Sequence, residues 1–514
     1  MFYRLCGLAI SLLCSTSAIS QDIEQHDNVS DASATPITSL SSLHSLKNLK
    51  EIRVHAPKVH DLHNKHQVRS LFVQSDQLPI LNIQLSFNAG SARDASITTQ
   101  GFGTANMAAR LLPEGTSTLS SVEVAEQLAK LGAQLSIQSH RDMFVIRLRS
   151  LSDEYALQSA LKIILTLIQD AQFETKHLNR LIKNTELGQK QLQERPSSLM
   201  DIRFYRAIYA QHPYAHPITG YQSSLSKISQ QNLIDFRQRF LVRENLNIAI
   251  TGQITPKQAL AISNQISQAI PSGQAVAKLP IPKTKQGFDI QHLPYNATQA
   301  HIVMGHLGLT RDHPDRLALE VANAILGGSG FNALLTKALR IKRGYTYSVN
   351  SVMTFPQSRG VFKITYSTQQ EQLIESIAIA HRTLIDFIQN PIDPELLAET
   401  KAGLLRNHPN RYSSNAMINS QIAAIGFNQQ SANELAQYPE QIQALTAADI
   451  QNAVRRHLHP QHLSLIIVSK TLDKTALEKR LKNNLHDFQP ISSPHSEQED
   501  EILPWLPPDR HAAT

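Results

Sequence analysis

The chain has 514 residues, 41% hydrophobic and 18% charged; this length predicts more than one domain, and the apolar content excludes wholesale disorder. Its 49 basic and 42 acidic residues leave a formal charge of +7, with no run of five Lys or Arg, so nucleic-acid binding has no concentrated basic tract to rest on. The two cysteines, Cys6 and Cys14, exclude a disulfide scaffold and a cysteine-based zinc ribbon.

Both cysteines fall near the start. Arg4 precedes the apolar stretch Leu5–Leu13, and small residues follow (Ser15, Thr16, Ser17, Ala18, Ser20). This pattern predicts a secretory signal peptide over 1–20, cut after Ala18 or Ser20. The apolar run is too short to span a bilayer, and no later stretch reads as a span. The expected product is exported, with the periplasm as its expected compartment. A flexible leader is predicted over 21–69, because residues 21–55 are rich in Ser, Thr, Asp and Asn and lack an apolar period. It carries His55, His60, His63 and His66, read as a solvated cluster with metal ligation as the competing reading.

Beyond the leader the sequence repeats weakly, at an interval of about 218 residues. Leu81–Phe87 alternates as a strand and runs into Asn88-Ala-Gly-Ser-Ala-Arg93-Asp94; Ala300–Met304 runs into Gly308-Leu-Thr-Arg311-Asp312. A helix is predicted after each, near 98–112 and 314–326. Gln230–Gly252 then gives a helix, a polar break and the strand Leu246–Ile250. Ala447–Ser469 repeats that order, with the strand Leu463–Val468. Further helices begin near Pro256 and Lys474. These are two homologous α+β units, at 70–270 and 288–491, joined by a Pro- and Gly-containing linker over 271–287. A Pro-rich acidic tail over 492–514 holds the sole tryptophan, Trp505. Gly327-Gly-Ser-Gly330 follows a helix and lacks a closing Lys-Ser/Thr pair, so it reads as a helix terminator rather than a phosphate loop.

Duplicated α+β halves carrying Gly101–Thr116, His212-Pro-Tyr-Ala-His-Pro-Ile-Thr-Gly220, Leu326-Gly-Gly328 and Leu339-Arg-Ile-Lys-Arg-Gly-Tyr-Thr-Tyr347-Ser-Val349 resemble the insulinase/pitrilysin family of zinc peptidases over about 70–490. The resemblance implies two insulinase-type domains forming half of a clam-like chamber. Active members carry H-x-x-E-H, whose two histidines share a helix face toward zinc while the glutamate activates the metal-bound water. Counting back from Gly115-Thr116 places the motif at Asn106, Ala109 and Arg110: a poor ligand, no base, and a fixed cation. The family's third ligand position falls on Glu186, 76 residues beyond Arg110, and one carboxylate cannot hold zinc alone. No metal is therefore expected in this chain.

Active family complexes also use an arginine and a tyrosine seven residues apart to hold the substrate backbone and the developing oxyanion. Arg340 and Tyr347 have that spacing, and their donors suit the task. The bland reading is a helix-end arginine and an alternating strand through Tyr345, Tyr347 and Val349. The resemblance favours substrate contact. It implies a non-catalytic, substrate-binding subunit of an exported heterodimeric zinc metallopeptidase, inactive alone, with zinc in the partner subunit. Two alternatives remain: a structural scaffold subunit, and a stand-alone metallopeptidase with atypical ligands such as His55–His66.

Overall fold

The alternating apolar runs become strands, and each half gathers them in the same order. The computed structural model describes residues 55–328 and 330–488. The expected signal peptide, most of the leader and the 492–514 tail lie outside the described residues. The first half contributes β1 (His60–Leu62), β2 (Arg69–Gln74), β3 (Ile80–Phe87), β4 (Gln134–Ser139), β5 (Phe144–Leu151) and β6 (Leu246–Gly252), ordered β1-β2-β6-β3-β5-β4. The second contributes β7 (Asp289–Pro294), β8 (Gln299–Leu307), β9 (Val349–Met353), β10 (Val361–Gln369) and β11 (Ser464–Ser469), ordered β7-β11-β8-β10-β9. With β1 set aside, the orders coincide strand for strand. In each half the last strand enters between the first two, parallel to one and antiparallel to the other. A parallel pair needs a long crossover connection, and each half supplies it with its helices. The chain is thus an α+β protein of two homologous units.

The leader prediction needs correction at its end. Residues 60–62 pair antiparallel with β2. Just beyond, Asn64 Nδ2 donates to Ser263 Oγ at 2.7 Å, and His66 Nδ1 lies 2.9 Å from Ser267 Oγ. A strand of three residues is too short to show a period, and its anchors on the helix Pro256–Ala269 are polar. Apolar patterning had nothing to detect there.

Each sheet packs one face on its own helices. The helix Glu154–Asp170 buries Leu157, Leu161, Ile164 and Ile168, and Leu373–Gln389 buries Leu373, Ile377, Ala380 and Leu384. Both sets follow the spacing that puts apolar residues on one helical stripe. The other face of each sheet is covered by the opposite half. The helix Pro196–Tyr209 sets Met200, Phe204 and Ile208 against Val303, Leu307, Val361, Ile466 and Val468 of the second sheet. In return, Asn415–Phe427 sets Ile418, Ile422 and Ile425 against Leu71, Val73 and Ala249 of the first. Strand side chains alternate between faces, so Leu465 and Ile467 enter the second half's own core while Ile466 and Val468 meet the borrowed helix. Burial on both faces explains why β11 carries the continuous apolar run Leu465–Val468.

A polar latch accompanies this exchange. The Tyr214 hydroxyl donates to the Asp142 carboxylate and accepts the Ser358 N–H at 3.2 Å. Gln357 N–H donates to the other Asp142 oxygen at 3.1 Å, and the Tyr209 hydroxyl donates to the Arg359 carbonyl at 2.7 Å. His212 Nε2 lies 2.8 Å from the Pro280 carbonyl. The His212-Pro-Tyr stretch therefore ties together the β4–β5 turn, the linker and the β9–β10 turn.

Candidate functional site

The helix Thr104–Leu111 buries Ala105, Met107, Ala108, Ala109 and Leu111 in the first core, leaving Asn106 half-buried and Arg110 exposed. Its N-terminus is held by Asp94, whose carboxylate oxygens accept Gly103 N–H at 2.7 Å and Ala105 N–H at 2.8 Å. Gly103 takes φ +103 with the Thr219 carbonyl 3.0 Å from where a Cβ would stand, so a side chain there would be strained. Arg110 Nη1 donates to Thr185 Oγ1 at 2.9 Å, on the helix Thr175–Gln193, beside Glu186. Arg110 thus reaches the helix that carries Glu186, at the residue before it. Chemically the positions counted from the sequence do not fit zinc. Ala109 ends in a methyl, Arg110 brings a guanidinium to where a neutral imidazole would coordinate, and no ion pair joins Arg110 to Glu186 among the described residues. The buried Asn106 Oδ1 has no hydrogen-bond partner among the described residues, but one amide oxygen and one carboxylate are not a zinc set.

A cleft of about 880 Å³ opens beside this helix, with Leu128, Leu135 and Ile137 along its apolar wall. Within it Glu114 lies 3.0 Å from His177 and 3.3 Å from Arg180, while Arg110 has the Thr185 hydroxyl as its partner.

Burial pushes the Asp94 carboxyl up to about 7, outweighing the N–H groups of Ala105, Gly103 and Thr104 that pull it down. Because the folded value exceeds the unfolded one, near 3.8, this group's contribution to stability is complete below the unfolded value. It is lost as pH rises toward 7. The expected slope is at most about 1.4 kcal/mol per pH unit for one group. Urea unfolding of the wild type and of Asp94→Asn at pH 4 to 7 should differ by that slope, since the amide cannot titrate. Parallel stability curves would remove Asp94 as the titrating group.

Arg340 and Tyr347 are brought together. The segment Thr336–Ile341 winds as a π-helix, a widened turn that often marks functional positions. Gly344 ends it at φ +63, where glycine carries no steric cost; its N–H donates to the Arg340 carbonyl at 2.9 Å. Tyr345 N–H closes back on the Leu339 carbonyl at 2.9 Å, and the Tyr345 carbonyl accepts the Thr368 hydroxyl at 2.7 Å. The alternation predicting a strand through Tyr345 and Tyr347 is overridden here: β9 begins only at Val349. Arg340 instead lies between two rings, its guanidinium carbon 4.8 Å from the Tyr347 centroid and 4.9 Å from that of Phe331. Tyr347 is 85% exposed, and its hydroxyl has no partner among the described residues. Phe331 had no sequence signal beyond its place after the glycine run. The helix before that run ends at Gly327. No hydrogen bond, ion pair or ring contact joins Arg340 and Tyr347 to the Asn106–Arg110 turn among the described residues.

Among the described residues, the only cluster close enough to hold an ion is His313, Asp315 and His457, so His55, His60, His63 and His66 do not form one. Asp315 is already engaged, by Arg456 at 2.9 Å and His457 at 2.7 Å.

Residues 71–221 match the family described as Insulinase (Peptidase family M16), and 227–404 match Peptidase M16 inactive domain. A Helicobacter pylori protein named non-peptidase homolog YmxG is 24% identical over 429 residues, covering 80% of this chain and 94% of its own. A Pseudomonas fluorescens crystal structure, described as a peptidase M16 inactive domain, superposes with a TM-score of 0.76 at 29% identity, covering 80% of this chain and 98% of that one. The Escherichia coli periplasmic protease PqqL shares the fold, with a TM-score of 0.68 at 15% identity over 82% of this chain and 48% of its own. Both halves, in sequence and in strand order, lead to one conclusion: the chain belongs to the insulinase family, peptidase family M16.

Proposed function

We propose that this chain is the non-catalytic, substrate-binding subunit of an exported two-chain zinc metallopeptidase, presenting Arg340 and Tyr347 to a partner subunit that carries the zinc. The observation that carries the reading is a contrast. The turn at Asn106, Ala109 and Arg110 supplies neither a ligand set nor a base, while Tyr347 stands 85% exposed beside an oriented guanidinium. The guanidinium offers charge-assisted donors to a peptide carbonyl, and the phenol offers one more toward a tetrahedral oxygen. The relative named a non-peptidase homologue agrees with the loss of the metal site. Export is supported by the signal-like start and by the periplasmic neighbour; no helix among the described residues is long and apolar enough to cross a membrane.

The test is co-expression with a relative bearing an intact H-x-x-E-H. The two chains should form a 1:1 complex whose peptidase activity lies well above that of the partner alone. This chain by itself should hold no stoichiometric zinc and cleave no unfolded peptide. Equal partner activity with and without it would leave a scaffold role instead, and one tightly bound zinc in the isolated chain would overturn the reading.

A further inference from the structure

Between Glu320 and Glu371 the sequence contains no acidic residue, yet Lys337, Arg340, Lys342 and Arg343 fall within it. Some exposed cations elsewhere pair with carboxylates, as Arg480 does with Glu375 at 2.5 Å and Arg382 with Asp386 at 3.1 Å. None of the four in this segment has a carboxylate within ion-pair distance among the described residues. The Arg343 guanidinium donates only to a carbonyl, that of Ala338 at 2.9 Å. Large apolar groups stand exposed in the same place: Phe331 at 64%, Ile341 at 56% and Tyr347 at 85%. The surface thus combines four cations that form no ion pair among the described residues with two largely exposed rings on either side of Arg340, and the Glu399 carboxylate at its edge is held by Asn332 Nδ2 at 2.9 Å.

We propose that this surface selects acidic peptides, an inference that rests on the reading of Arg340 and Tyr347 as substrate contacts and adds the class of substrate. An extended segment would lay an apolar side chain against Phe331 and Tyr347, with its flanking Asp or Glu carboxylates facing Lys337, Lys342 and Arg343. Arg340, oriented by the two rings, is the fixed donor of the group. The flexible lysines and Arg343 supply attraction that acts before contact and is screened by salt. The same charges disfavour a basic segment.

The experiment is fluorescence anisotropy of the intact mature chain with labelled peptides of equal length and apolar content, rich in Glu and Asp, neutral, or rich in Lys, at low and high salt. The acidic peptide should bind about tenfold tighter than the neutral one, each of three exposed pairs contributing about two- to threefold. The basic peptide should bind weakest, and high salt should erase the difference. The triple variant Lys337→Gln, Lys342→Gln, Arg343→Gln should lose the preference. Because Arg343 also holds a helix end, the double variant Lys337→Gln, Lys342→Gln should retain only about twofold of it. Equal affinity for acidic and neutral peptides overturns the proposal, as does equal affinity for a single-stranded oligonucleotide or anionic vesicles, which would make the surface a general polyanion site. If charge preference is absent but Tyr347→Phe still lowers turnover of the two-chain complex, the substrate class falls and the subunit reading stands. If the preference is present and Tyr347→Phe changes nothing, the subunit reading falls and the acidic-peptide surface stands.

Discussion

Tyr347→Phe is expected to lower peptide turnover by the reconstituted two-chain complex by ~10²–10³, about 3–4 kcal/mol, the usual effect of deleting one preorganised oxyanion donor. The substitution keeps the ring that stacks on Arg340 at 4.8 Å and removes only the hydroxyl. That hydroxyl bonds nothing among the described residues, so stability should change little. The loss should appear in kcat, because a donor aimed at developing charge acts in the transition state more than in the bound substrate. Arg340→Ala is a poorer probe, since it also leaves Phe331 and Tyr347 without the group packed between them. Near-normal turnover by an intact complex, verified by gel filtration, would sink the role of the hydroxyl. A Tyr347→Phe complex that falls apart would assign the tyrosine to assembly.

Phe204→Ala should destabilise the isolated chain by about 3–5 kcal/mol in urea unfolding, the range for truncating a fully buried aromatic. Phe204 is 0% exposed. It belongs to the helix that the first half lends to the second sheet, among Val303, Leu307, Ile466 and Val468. The cavity would open where the halves share a core, and the latch at Asp142, Tyr214 and Ser358 should loosen with it. Peptide binding at Arg340 and Tyr347 should persist in the folded fraction, because that segment closes on its own backbone bonds and on Thr368. A cost below about 1 kcal/mol would mean that the borrowed helix contributes little to holding the sheet.

Much of the site was legible because its signals are positional. Asn106, Ala109 and Arg110 declare their chemistry by side-chain type, and helical spacing alone places them on one turn. The count to Glu186 arrives beside the Arg110–Thr185 hydrogen bond, at 2.9 Å. The Arg340–Tyr347 spacing was equally visible, but the path between them was not. Alternation suggested a strand, whereas a π-helical turn and Gly344 at φ +63 fold the chain back and leave both rings outside. Nothing local in the sequence points to Phe331, whose ring meets Arg340 at 4.9 Å.

The sequence by itself determined the duplication, the α+β class and the main strands, because each of these is written in residue type or in periods of two and 3.6. Only the tertiary structure decided which surfaces those periods would serve. Periodicity marks a face as apolar without naming what buries it. Met200, Phe204 and Ile208 read as an ordinary helix stripe, yet they pack on the second sheet, and Ile418, Ile422 and Ile425 pack on the first. The β1 strand and its anchors on Ser263 and Ser267 show the same division. The three-residue strand is held by β2, and Asn64 and His66 by hydrogen bonds to residues some two hundred positions away; neither leaves a trace in local composition.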